Sequence, residues 1–129
     1  MIDWLNLLGR IGVTDTAPTV QTLQQLQRQA LLTLPFENLD IHLGRPIFLD
    51  HASIHEKIVV GDRGGFCYEL NECFSQCLNA MRYDIERLEG RVVIGGPGAP
   101  SIINARSLRL DGVRWWVDIG FGDSTLGAI

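Results

Sequence analysis

The hydrophobic period changes once along this 129-residue chain, near residue 85, and that change restricts the fold more than any other feature. Before it, the apolar residues recur at helical spacing. Trp4, Leu7, Leu8 and Ile11 fall at i, i+3, i+4 and i+7, one stripe of a short helix that Gly12 would stop. Pro18 and Thr19 open a second helix, with Val20, Leu23, Gln27, Ala30, Leu31 and Leu34 on its stripe and Pro35 at its end. The S-x-x-E form of Ser53-Ile54-His55-Glu56 predicts a third helix capped by Ser53 and ending near Gly61. Behind the breaker Arg63-Gly64-Gly65, a fourth stripe of Leu70, Phe74, Cys77, Leu78 and Met81 puts Cys67 at the start of a helix. After residue 85 the pattern is that of strands. Glu86 to Ile94 reads as one strand and Gly95 to Pro100 as a loop. Arg106 to Leu110 alternates, Asp111-Gly112 is a hairpin turn, and Val113 to Ile119 returns. The expected class is α+β, with a helical unit over 1–85 and a β unit over 86–129. The last ten residues carry no closing element, and a two- or three-stranded sheet is marginal alone. The β unit is therefore expected to be incomplete, with an open sheet edge available for self-association.

Composition removes several functions. Eleven basic against fifteen acidic residues give a formal net charge of −4, the wrong sign for a nucleic-acid partner. No apolar run approaches the roughly 18 residues of a membrane span. Asp3 follows the initiator almost at once, so no secretory signal is expected. The three cysteines, Cys67, Cys73 and Cys77, are odd in number, closely spaced and without a C-x-x-C pair. Neither a disulfide framework nor a zinc site fits that spacing, no metal is expected, and a reducing cytoplasm suits it better.

Cys67 is the strongest candidate for chemistry. A helix N-terminus offers unpaired N–H groups and a positive partial charge that favour thiolate, and two preceding glycines would let a substrate carbonyl approach the backbone. The competing reading is a small buried filler, which is the expectation for Cys73 and Cys77 on the apolar face of the same helix. The histidines, His42, His51 and His55, all precede Cys67 and read as surface or capping residues. Asp118, taken alone, reads as a solvated carboxylate at a strand end. Trp115 and Trp116 should face opposite ways, with one of them in the core.

Three stretches together carry a resemblance. Arg63-Gly64-Gly65-Phe66-Cys67-Tyr68-Glu69-Leu70-Asn71, Pro35-Phe36-Glu37-Asn38-Leu39-Asp40 and Trp116-Val117-Asp118-Ile119-Gly120-Phe121-Gly122 resemble motifs of the arylamine N-acetyltransferases, in the family's order and at compatible spacing. The resemblance implies a helical bundle followed by the first strands of a β-barrel, a cysteine-proteinase-like core, with the family's lid domain absent. It implies a Cys–His–Asp triad that passes acetyl from acetyl-CoA, through the cysteine, to an arylamine or arylhydrazine. On this basis Cys67 is the nucleophile, Asp118 orients the histidine and Phe36 lines the acceptor pocket. The departure lies in the histidine. An ungapped count back from Asp118 puts Ile103 at its position, a shortened strand would put Arg106 there, and no histidine follows Cys67 anywhere. Neither replacement can accept a proton, so impaired acetyl transfer is expected. A cysteine hydrolase of related fold and a non-catalytic interaction domain are the alternatives.

Overall fold

The computed structural model describes residues 2–91 and 102–120. Five short helices come first: α1 (Asn6–Ile11), α2 (Val20–Thr33), α3 (Leu39–His42), α4 (His51–Ile54) and α5 (Cys67–Ala80), with a π-helical turn (His55–Val60) continuing α4. Three strands follow: β1 (Asp84–Arg91), β2 (Ile102–Leu110) and β3 (Val113–Val117). Local chemistry explains most boundaries. Gly12 ends α1 in the left-handed region at φ 79°, which a side chain would resist. The Thr19 hydroxyl accepts from the Thr22 N–H at 3.2 Å and caps α2. Helix α4 starts three residues earlier than the S-x-x-E pattern capped by Ser53 predicts. The Asp50 carboxylate accepts from the Ser53 N–H at 3.0 Å, so Asp50 is the cap and Ser53 lies inside the first turn. An aspartate three residues ahead outcompetes the serine because a charged acceptor makes the stronger cap bond.

The sheet is an open antiparallel meander in the order β1-β2-β3. Asp111 and Gly112 take φ 52° and 78°, the two left-handed residues that a two-residue hairpin turn needs. Strand β2 begins at Ile102, four residues before the alternating stretch read from the sequence, and pairs with β1 one to one from Asp84↔Arg109 to Arg91↔Ile102. The other hairpin places Val117 opposite Arg106. The Gly95 to Pro100 loop lies outside the described residues.

One core serves helices and strands together. Leu7, Leu23, Leu26, Ile54, Ile58, Leu70 and Leu78 join Leu108, Val117 and Ile119 in a single buried cluster. Each such side chain contributes about 1.5–3 kcal/mol by leaving water. Trp115 packs half-buried against this cluster, and Trp116 on the other face is exposed. Cys73 and Cys77 are wholly buried on α5, as expected of fillers. Helix α5 therefore lies between the helical layer and the sheet, and it carries Cys67 at its first residue.

Candidate functional site

The start of α5 is sewn to the Pro35–Asp40 stretch by backbone. The Gly65 N–H donates to the Pro35 carbonyl at 3.2 Å and the Glu37 N–H to the Gly65 carbonyl at 2.9 Å, a parallel bridge between Phe36 and Gly65. A Cβ on Gly64 would sit 1.7 Å from the Pro35 carbonyl oxygen. Gly64 thus serves the chain's own close approach rather than a substrate's. A Cβ on Gly65 would meet the Glu69 side chain at 2.8 Å. That side chain turns back to accept from the Phe66 N–H at 3.2 Å, satisfying one of the donors a helix start leaves open. Phe36 is itself a bridge residue, and its side chain is half exposed.

The segment after β3 closes on the same helix turn. Asp118 is buried, not solvated, and its Oδ1 accepts from Asn71 Nδ2 at 3.0 Å and from the Gly120 N–H at 2.8 Å. Asn71 Oδ1 accepts in turn from the Ile119 N–H at 3.0 Å, and Gln27 Nε2 donates to the Asp118 carbonyl at 2.7 Å. Gly120 lies directly on the backbone of Cys67: a Cβ there would be 2.7 Å from its Cα. Helical spacing explains this clamp, because Asn71 is four residues after Cys67 and so on the same face. Cys67 and Asp118, 51 residues apart in sequence, are thus brought to one place. Asn71 is the residue that joins them, and sequence reasoning gave it no role. Its place inside the nucleophile motif, one turn on from the cysteine, was the available signal.

The electrostatics run against the expected thiolate. Burial pushes the Cys67 thiol above its ordinary pKa and the Asp118 carboxylate adds to that, while backbone N–H groups of Tyr68 and Cys67 pull the other way. A helix start alone does not outweigh desolvation and a nearby anion.

Arg106 is almost wholly buried, and its guanidinium meets α5 further along. Its Nε donates to the Ser75 hydroxyl and its Nη2 to Glu72 Oε2 at 2.8 Å. Glu72 also accepts from Arg87 at 2.6 Å, from Gln76 at 3.0 Å and shares a contact with His51 Nε2 at 3.0 Å. Glu72 and Ser75 are five and eight residues beyond Cys67, roughly 8–12 Å along the helix axis. Ile103 lies in β2 opposite Gly90. Of the histidines, His42 ends α3, His51 contacts Glu72, and His55 contacts the Asp3 carbonyl at 3.1 Å. Both His51 and His55 stand edge-on to Trp4.

A cavity of about 530 Å³ is lined by Pro46, Ile47, Phe48, Lys57, Arg63 and Glu69 among others, and Cys67 and Asp118 are not part of its wall. No group of three or more His, Cys, Asp or Glu arranged for a metal occurs among the described residues, and none of their helices is long and apolar enough to cross a membrane.

Residues 19–128 match the N-acetyltransferase family profile. The chain is 40% identical over 114 residues to an arylamine N-acetyltransferase of Escherichia coli strain K12, covering 87% of this chain and 41% of that protein. It superposes on the arylamine N-acetyltransferase of Salmonella typhimurium with a TM-score of 0.89 at 30% identity, covering 100% of this chain and 49% of that one. A Mycobacterium marinum arylamine N-acetyltransferase solved in complex with CoA matches with a TM-score of 0.85 at 31% identity, over 98% of this chain and 50% of that one. The chain thus spans between two fifths and one half of the length of these relatives.

Proposed function

The chain belongs to the arylamine N-acetyltransferase family, and we propose that it takes part in that family's reaction, moving acetyl from acetyl-CoA to an arylamine or arylhydrazine through Cys67. The observation that carries this reading is the clamp at the start of α5, where Asn71 holds the Asp118 carboxylate against the turn that begins with Cys67. In the first half-reaction the Cys67 sulfur attacks the acetyl carbonyl of acetyl-CoA. The C–S bond to CoA breaks, and CoA leaves as a thiol once protonated. In the second, the amine attacks the Cys67 thioester, loses a proton and takes the acetyl group, and the cysteine is released. Phe36, beside the Gly65 bridge, would face the acceptor. Asp118 has Oδ1 occupied by Asn71 and Gly120, which leaves Oδ2 for the N–H of an imidazole.

This chain supplies no such imidazole from the residues after Cys67. Two consequences support an impaired first step. No histidine after Cys67 can take the proton of the thiol, a loss worth roughly 10²–10⁴ in rate. Burial raises the pKa of the thiol, and the Asp118 charge, without an imidazolium to balance it, adds to that rise. In the same reading residues 1–85 form the helical unit, residues 86–129 supply the opening strands of the family's barrel, and the three free cysteines suit the cytoplasm. The test is acetylation of the protein by acetyl-CoA or an activated acetyl ester, read by mass spectrometry with peptide mapping. Slow addition of one acetyl group at Cys67, lost in Cys67→Ser, is the expected result. Acetylation confined to lysines, unchanged by Cys67→Ser, would overturn it.

A further inference from the structure

Lys57 lies on the π-helical turn, the kind of one-turn irregularity that redirects side chains and recurs at functional sites. Its ammonium is largely buried and reaches three carboxylates from three segments. Glu69 on α5 is met at 2.8 and 3.1 Å, Asp40 on α3 at 2.9 Å, and Glu37 ahead of α3 at 3.6 Å. Arg63, at the foot of the nucleophile loop, closes the other side, with Nη1 2.9 Å from Asp40 and Nη2 3.0 Å from Glu37. Arg10 on α1 holds this layer from behind, donating to the carbonyls of Ile58 and Arg63. Glu69 is the link to the nucleophile, since one of its oxygens accepts from the Phe66 N–H directly before Cys67 while also accepting from Lys57.

We propose that Lys57 is a positioning residue for Cys67: its ammonium binds Glu37, Asp40 and Glu69 into one cluster that fixes the first turn of α5 and offsets the negative charge that Glu69 brings to that turn. This rests on Cys67 being the reacting group. Without Lys57 the cluster would hold three carboxylates against Arg63 and the more exposed Arg45, 3.8 Å from Asp40. The pKa directions agree with the geometry: the hydrogen bond from Lys57 is the largest cause holding Asp40 below its ordinary value, and Glu69 and Asp40 together raise Lys57 although burial opposes them. The charged groups facing the two ends are therefore Glu37, Asp40, Glu69, Arg63 and Arg45 around Lys57, and Asp118 beside Cys67.

The experiment is the pH dependence of iodoacetamide alkylation at Cys67, followed by peptide mapping, in the parent chain and in Lys57→Met, Lys57→Arg and Glu69→Gln. Lys57→Met should move the alkylation midpoint up by roughly half a pH unit, the effect of one unit charge lost nearby at intermediate dielectric. Lys57→Arg should bring it back, because the charge returns. Glu69→Gln removes an anion and should move the midpoint down, so it tests the same charge balance if Lys57→Met does not fold. An unshifted midpoint in a folded variant overturns the proposal, and so does a shift of both variants in one direction, which is what simple loosening would give. The readout is the thiol alone. Failure of acetyl transfer would leave this result standing, and failure here would leave acetyl transfer to be read at Cys67.

Discussion

Replacing Arg106 by methionine removes the cation of a buried ion pair while keeping much of its aliphatic bulk. Arg106 is 1% exposed and its partner Glu72 8%, so both charges are desolvated. The bond to Glu72 is charge-assisted and worth about 1.5–3 kcal/mol, and the bond to Ser75 about 1 kcal/mol. Against these stands the desolvation of the guanidinium, which lowers the Arg106 pKa even beside Glu72. Removing one partner of a buried pair typically costs about 3–5 kcal/mol, because the other charge is stranded. Here Glu72 keeps donors from Arg87, Gln76 and His51, which softens that loss. The expected cost of Arg106→Met is therefore about 2–3 kcal/mol. Adding Glu72→Gln should recover part of it, since the stranded charge is gone. Arg87→Met, at a side chain 64% exposed, should cost no more than about 1 kcal/mol. Urea unfolding with an unchanged slope reads all of these as midpoint shifts. A loss at Arg106 no greater than that at Arg87 would show that the buried pair does not hold β2 to α5.

Cys67 should alkylate much faster than Cys73 or Cys77 in the folded chain, because both are wholly buried and burial pushes each thiol up to about 12; equal labelling of all three under native conditions would refute this. The same two thiols, with Tyr83 also raised to about 12, predict alkaline loss of stability. Their folded pKa values exceed the unfolded ones, so the native state retains protons that the unfolded state has released. Stability is then fully present below about pH 8.5 and falls as pH rises toward 12. Urea midpoints that stay flat between pH 8 and 11 would contradict that linkage.

What could be read from the sequence was whatever is decided locally. Gly12, the Thr19 cap, the glycine breaker before Cys67 and the Asp111-Gly112 turn each act within a few residues, and all lie where their chemistry requires. The core stripe of α2 was legible at Leu23, Gln27, Ala30 and Leu34, whereas Thr22 and Leu26 are buried without having been read and Val20 and Leu31 are only half-buried. Asp50 went unnoticed because Ser53 matches a more familiar pattern at the same helix start. The misses of greater consequence are long-range. A strand-end aspartate looks solvated until Asn71 folds over it, and nothing within a few residues of Asp118 signals that. Lys57 gives no sign of three carboxylate partners, because they come from segments 12, 17 and 20 residues away, and Arg106 gives none of a partner on α5. Buried charge is where local reading fails, since a charged residue is exposed by default and its partner is named only by the fold.

The proposed loss of the base can be tested by restoring it, and the hairpin bears on where. Two positions compete for the family's histidine, Ile103 and Arg106. The turn at Asp111 and Gly112 has two residues, and Leu110↔Val113 to Arg106↔Val117 pair without a bulge. The pairing with β1 is equally unbroken from Asp84↔Arg109 to Arg91↔Ile102. A one- or three-residue deletion within either ladder would leave a bulge, because a slip changes which face each residue presents, and neither ladder has one. The unbroken register therefore favours the ungapped count to Ile103. Arg106 has a separate occupation in its bonds to Glu72 and Ser75, and His in its place would forfeit about the cost given for methionine. We expect Ile103→His to raise acetylation of Cys67 by an activated acetyl ester at least about tenfold, the low end of what a placed base supplies. Arg106→His should give no gain and a lower urea midpoint. Asp118→Asn in the Ile103→His background should abolish the gain, since the amide cannot orient the imidazole as a carboxylate does. Burst acetylation by mass spectrometry, with Cys67→Ser as the blank, reads each variant. A gain from Arg106→His alone would place the histidine at Arg106 and reject the ungapped count. A gain from Ile103→His that survives Asp118→Asn would mean that the new imidazole works without the carboxylate, and the triad reading of Asp118 would fall with it.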